Sequence, residues 1–308
     1  MNSKTKQVFV AQNITACKVG FYQNCPIGKS LKTSYVSNFN VGEPQVINSV
    51  YVVNQHAIDA VQEFCSVGVN PSPKDGWMNP IVMCTIDRSN FFGTNFNQSE
   101  GITDDIYNIR TNFNMITHNG NPFPLKDKEC VYNKVISVIR DKNLQPIPLP
   151  QIYTMGLIVV SPIHKPPLLD ENRMGSVEFL NLMSTVETIF QTAIFYGHNI
   201  LLLTPLGHTT DEVPQEDVIK IYNSLILKYQ HRFKYIIVCI PPWDGQELYE
   251  LYEQNIIKPQ ELCEENLEEI LINQENNDEN NEGNNDDDND TKIVIKNTNG
   301  RNQNKLYN

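Results

Sequence analysis

The stretch NILLLTPLGHTTDEVPQEDVIKIYNSLILKYQHRFKYIIVCI, residues 199–240, decides the fold. It opens and closes on short apolar runs, residues 199–204 and 235–240, the second ended by Pro241 and Pro242. Runs of this length and composition read as strands buried on both faces. Between them Val218, Ile221, Tyr222, Leu225, Ile226 and Tyr229 recur as the apolar stripe of one helix, and Pro214 suits that helix's first turn. Strand, helix and strand at this spacing predict a βαβ unit with a parallel pair and a right-handed crossover.

The pattern extends upstream. Val186, Ile189, Phe190, Ala193 and Ile194 keep helical spacing, and Gly197 stands where that helix should stop. Residues 80–86 (PIVMCTI) and 156–162 (GLIVVSP) read as buried strands. VINSVYVV at 46–53 and KVISVI at 134–139 read as less buried or edge strands. Helices are expected at 56–65 and 103–113, and loops at 68–79 and 144–151. These elements predict a three-layer α/β/α domain with a mixed sheet, spanning residues 1–258.

Residues 259–308 differ in kind. From Glu261 onward 13 acids face four bases, so most of the formal charge of −12 sits there. QENNDENNEGNNDDDND, residues 274–290, has almost no apolar surface to offset its ordering entropy and is expected to be disordered. Leu262, Leu267, Ile270 and Leu271 allow a further helical turn or two before it. KIVIK, residues 292–296, alternates like a strand and reads either as a docking segment or as part of a solvated tail.

The rest of the chain is near neutral and shows no basic stripe, which argues against duplex nucleic acid as a partner. No apolar run reaches about 18 residues, and the N-terminus lacks a secretory h-region. The seven cysteines are scattered without a CxxC pair, which points to a reducing compartment, cytoplasmic or nuclear, with no disulfide framework or zinc site. No HxH or HExxH grouping supports a metal, and no cofactor is called for. PIGKS, residues 26–30, ends like a P-loop, but Gln23 stands where the leading glycine belongs.

In open α/β sheets ligands sit beyond the carboxyl ends of the strands. Two loops qualify, residues 85–104 and 204–213. Each leads into a helix whose first N–H groups suit an anion.

The order of segments resembles the macrodomain-like proteins related to microbial-type poly(ADP-ribose) glycohydrolase. The resemblance runs from VAQNITACKVGFYQ (10–23) through NPIVMCTIDRSNFFG (79–93), DDIYNIRTNF (104–113), VYNKVISVIRD (131–141) and GLIVVSPIHKPP (156–167). Its strongest piece is IFQTAIFYGHNILLLTPLGHTTDEVPQEDV (189–218). It implies an ADP-ribose-type ligand, held in the first loop by Asn90, Gly93, Thr94 and Asn95. In the second loop it implies Gly207, His208, Thr209 and Thr210.

The departures are specific. The family's Gly-Gly-Gly falls on Phe91, Phe92 and Gly93, and its Gln-Glu-Glu on Ile102, Thr103 and Asp104. Phenylalanine resists the close backbone approach and positive φ that glycine allows. Asp104 is one methylene shorter than the glutamate acid it replaces, and a misplacement of about 1 Å can cost roughly a hundredfold in rate. A slipped register would bring in Glu100 or Asp105, while Asp104 and Asp105 also suit a helix N-terminus. His208 reads as a cation near an anion at low pH or as an exposed loop histidine, with Thr210 or Asp211 capping the following helix. Trp243 reads as an adenine stack or as rim packing, and Cys84 as a nucleophile or a small buried hydrophobe. The resemblance thus implies a nucleotide-binding protein with weak or absent glycohydrolase activity, or an interaction scaffold with a filled pocket, or a hydrolase with an altered acid.

Overall fold

The computed structural model describes residues 3–42, 49–64, 79–86, 102–113, 124–170, 172–208, 211–258 and 296–297. The chain runs α1 (Ser3–Lys18), β1 (Ser30–Ser34), β2 (Ser49–Val53), α2 (Ala57–Phe64), β3 (Pro80–Thr85), α3 (Ile102–Arg110), β4 (Glu129–Val138) and β5 (Tyr153–Val160). There follow a small hairpin of β6 (Leu168–Asp170) and β7 (Arg173–Met174), then α4 (Ser176–Phe195), β8 (Ile200–Leu203), α5 (Gln215–Tyr229), β9 (Tyr235–Cys239) and α6 (Gln246–Asn255). Lys296–Asn297 form β10.

The main sheet has the order β10-β1-β4-β5-β3-β8-β9-β2. From β5 to β2 all neighbours are parallel, and β4 and β1 add antiparallel strands beyond β5. The expected βαβ unit is β8-α5-β9, in register from Ile200↔Tyr235 to Leu203↔Val238.

Strand alternation explains the layers. Ile81, Met83, Leu201, Leu203, Ile236 and Val238 face the core under α4, α5 and α6. Their immediate neighbours Val82, Cys84, Ile200, Leu202, Ile237 and Cys239 face the opposite core with α2 and α3. A strand that must be apolar on both faces reads as an unbroken run, which is why these segments stood out. The sheet is therefore mixed and covered on both sides, as expected.

Other expectations fare unevenly. Gly197, with φ of 74°, donates its N–H to Ile194 and ends α4 one residue after its C-cap. Pro214 stands at the N-cap of α5 rather than inside its first turn. KVISVI supplies the second half of β4, which pairs with β5 but not with β1, because β1 pairs only with Glu129–Asn133. This half is an edge of the ladder, as read, yet it is buried from Ile136 onward. The exposed Lys134 falls at a register irregularity between Asn133 and Ile136, and that break hid the strand's burial. No helix among the described residues is long and apolar enough to cross a membrane.

One buried histidine locks the middle of the sheet. His198 donates from Nδ1 to the Asn79 carbonyl at 3.2 Å, so its Nε2 accepts the Tyr132 hydroxyl at 3.0 Å. Gly156 leaves room for the ring: a Cβ there would lie 2.6 Å from His198 Cε1 and 3.1 Å from Ile81 Cγ1. With both nitrogens tied, the imidazole cannot step aside. Gly156→Ala is therefore expected to destabilise the protein by about 1–3 kcal/mol, the usual range for overpacking a core, read as a lower urea midpoint at unchanged slope.

Candidate functional site

The parallel strands β2, β9, β8, β3 and β5 all end on one edge of the sheet, and among the described residues the chain leaving β2, β8 and β9 lines it. After β8 come Thr204, Pro205, Leu206 and Gly207, all buried, and the half-buried His208. Gly207 has φ of 66°, a left-handed conformation, and a Cβ there would lie 2.5 Å from Val213 Cγ2. Both facts exclude a side chain at this point.

The loop is braced from outside. The Tyr222 hydroxyl donates to the Thr204 carbonyl at 2.6 Å. Gln215 donates from Nε2 to the Leu206 and Val213 carbonyls at 3.1 and 2.7 Å, and its Oε1 accepts the Tyr252 hydroxyl at 2.7 Å. Val213 donates its N–H to the Gly207 carbonyl, and Lys165 donates its own to the Asp211 carbonyl. Loop shape is thus set by helices α5 and α6 behind it, which leaves the backbone preorganised.

The chain after β2 and β9 builds the neighbouring wall. His56 is 2% exposed, and its ring packs against Tyr107 at 5.4 Å and Trp243 at 5.5 Å. Nδ1 accepts the Ile58 N–H at 3.1 Å, which leaves the proton on Nε2. That Nε2 is buried without a hydrogen-bond partner, as is the Thr204 hydroxyl. An unsatisfied buried polar group costs about 1–3 kcal/mol, so two at one sheet edge call for an explanation. Burial holds the His56 pKa down at about 3, with the nearby Arg110 cation pushing the same way and Asp59 opposing. Asp244 also lies here; burial raises its carboxyl pKa, offset in part by His208.

No protein-family model matches the sequence, and no curated protein does. Solved structures do. A poly(ADP-ribose) glycohydrolase from Thermomonospora curvata aligns with a TM-score of 0.60 at 11% identity, over 82% of this chain and 100% of that one. Bound to the inhibitor ADP-HPD, the Thermomonospora curvata enzyme gives 0.55 at 10% identity, over 82% and 99%. A point variant of the Deinococcus radiodurans enzyme in complex with ADP-ribose gives 0.51 at 8% identity, over 81% and 90%. This is the fold of the microbial poly(ADP-ribose) glycohydrolases.

Within this glycohydrolase fold the predicted site residues divide into three groups. Gly207 and His208 stand in the β8–α5 loop at the carboxyl edge of the parallel strands. Asp104 and Asp105 stand in the first turn of α3, their side chains outside the described residues. Asn90, Phe91, Phe92, Gly93, Thr94, Asn95, Glu100, Thr209 and Thr210 also lie outside the described residues. Asp211 does not cap α5, which has no side-chain cap; it accepts from His164 Nδ1 at 3.1 Å instead. Gly28 of the P-loop-like segment packs its backbone on Val135 and Asn133 in a turn leading into β1, and no helix follows it. Cys84 is buried within β3. Trp243 is 45% exposed and does pack at the rim, on His56.

His56, Thr204 and Asp244 were missed. Each stands within five residues of the carboxyl end of a parallel strand, a position that strand assignment alone identifies.

The His56 shift has a sign that can be tested. The unfolded chain takes up a proton near pH 6.5, whereas the folded ring stays neutral to about pH 3. Its contribution is complete above pH 6.5 and falls as pH drops from about 6.5 toward 3, by about 1.4 kcal/mol per pH unit. His56→Asn keeps an acceptor for the Ile58 N–H but cannot titrate. Urea unfolding between pH 7 and 4.5 is expected to show wild type losing stability more steeply than this variant.

Proposed function

We propose that the protein binds ADP-ribose or a closely related nucleotide at the carboxyl edge of its parallel sheet, with weak or absent glycohydrolase activity. The observation that carries this reading is Gly207. A left-handed glycine, packed on Val213 in a loop braced by Tyr222, Gln215 and Tyr252, fixes the backbone conformation of the loop that we assign to the diphosphate. The ADP-ribose-bound and inhibitor-bound structures of the same fold support the choice of ligand class. The unpartnered Nε2–H of His56 and the Thr204 hydroxyl add two polar groups that a ligand or an ordered water would satisfy.

The catalytic half of the reading rests on sequence. A glycohydrolase needs an acid set against the ribosyl oxygen. On the resemblance the glutamate that would serve is replaced by Asp104, in the first turn of α3, after a sequence that has exchanged two glycines for Phe91 and Phe92. His208 and Asp244 form a second titratable pair at this edge, but nothing sets either against a glycosidic bond.

Calorimetric titration with ADP-ribose, with AMP as comparison, tests the binding. The expected result is micromolar affinity for ADP-ribose that Thr204→Val, which removes the unpartnered hydroxyl at nearly constant shape, reduces at least tenfold while its thermal unfolding without ligand stays cooperative. No heat and no thermal shift at millimolar ADP-ribose would sink the reading and favour a scaffold. Rapid release of ADP-ribose from a poly(ADP-ribosyl)ated substrate, lost in Asp104→Ala, would overturn the catalytic half alone.

A further inference from the structure

We propose that the edge of the sheet at β1 is a docking site for the chain's own KIVIK segment, residues 292–296, which extends the sheet by one antiparallel strand. Three independent features meet there.

The first is the register already present. Lys296 pairs with Lys32 and Asn297 with Leu31, antiparallel. Carried onward, this register sets Ile295 opposite Thr33, Val294 opposite Ser34 and Ile293 opposite Tyr35.

The second is the shape of the edge. Tyr35 donates its N–H to Lys128 on the β4 side, so alternation turns the backbone groups of Ser34 and Lys32 outward, toward the added strand. The edge stops one residue later, because Gln191 takes both the N–H and the carbonyl of Val36. The free edge, Lys32 to Tyr35, thus matches residues 293–296, all of KIVIK but its first lysine.

The third is a groove on the α4 side of that edge, lined by Thr33, Val36, Phe39, Thr192, Phe195 and Tyr196. Thr33 points into it, bonded to Thr192 Oγ1 at 2.9 Å. Residues directly opposite on paired strands share a face, so Ile295 and Ile293 fall on the groove side, and Lys292, Val294 and Lys296 alternate with solvent-facing positions. Phe195 is 50% exposed, and the Tyr196 hydroxyl is buried without a partner. An isoleucine pair is what such a wall accepts, and an edge strand left bare invites pairing with another chain.

The tether fits as well. α6 packs beside β2, at the far side of the sheet from β1. The sheet is roughly 34 Å wide at about 4.8 Å per strand spacing. A flexible chain of about 37 residues, the length of segment 259–295, has a root-mean-square span of roughly 34 Å. Effective concentration is greatest when span and distance match, and self-repulsion among the acids extends the chain rather than shortening it. The acidic stretch is then a loop closed at both ends rather than a free tail.

Hydrogen exchange on the full chain, compared with Ile293→Asp/Ile295→Asp, tests the proposal. The amides of Lys32 and Ser34 are expected to exchange at least tenfold faster in the double variant. Those of β4 and β5 should be unchanged, which shows that the fold is intact. Equal rates in the two proteins would overturn it. So would protection that grows with protein concentration alongside a dimeric mass, since the strand would then come from a second copy.

Discussion

Five parallel strands cannot leave a face uncovered, and the rest of the molecule follows from that constraint. Parallel strands need crossovers, the crossovers here carry helices, and the right-handed rule determines which face each helix takes. α4, α5 and α6 cover one face and α2 and α3 the other, with the two sets of alternating residues dividing cleanly between two cores. The same constraint gathers the carboxyl ends of β2, β9, β8, β3 and β5 along one edge. The polar groups at that edge meet there because of topology, not because they are near in sequence.

Two buried histidines show how differently that framework treats one side chain. Burial, helped by Arg110 near His56 and Lys134 near His198, keeps each toward the neutral form, with pKa values of about 3 for His56 and about 4 for His198. His198 has both nitrogens paired and a glycine opposite, so it is a structural joint between α4, β4 and the start of β3. His56 has one nitrogen paired and the other without a hydrogen-bond partner among the described residues. In a well-packed interior an imidazole placed only for its volume would be replaced by an apolar ring at little loss. On the proposed reading the open Nε2–H of His56 serves the ligand edge, whereas His198 serves the fold.

The legible parts of the sequence were those where one element suffices. The β8-α5-β9 unit, the buried run at β3, the end of α4 at Gly197 and the helix at α2 each announce themselves by local composition. Joints made by distant residues were not legible. Nothing local marks Tyr132, Gly156 and His198 as one contact, or Arg140 as the guanidinium that joins α1 to β4 by donating to Asn13 Oδ1 at 2.9 Å. Lys134 made half of β4 read as less buried than it is, because a register break lets one charged residue turn outward between buried ones. At the site, Gly207 was legible as a glycine between a strand and a helix. The brace behind it was not, since Tyr222, Gln215 and Tyr252 read only as helix residues.

Binding and catalysis draw on different loops of this edge, and so they can be lost separately. Affinity for a diphosphate comes from backbone N–H groups and the conformations that expose them, a role that the proposed reading gives to the loop after β8. Catalysis comes from one acid placed to a fraction of an ångström, and the segment after β3 that should place it has two bulky rings where the resembling proteins have glycines. A chain under pressure to keep the first and not the second would conserve the left-handed turn and its brace while the acid's loop drifted. On the proposed reading, a chain that carries Gly207 after β8 and Phe91, Phe92 and Asp104 in the sequence after β3 fits such a separation.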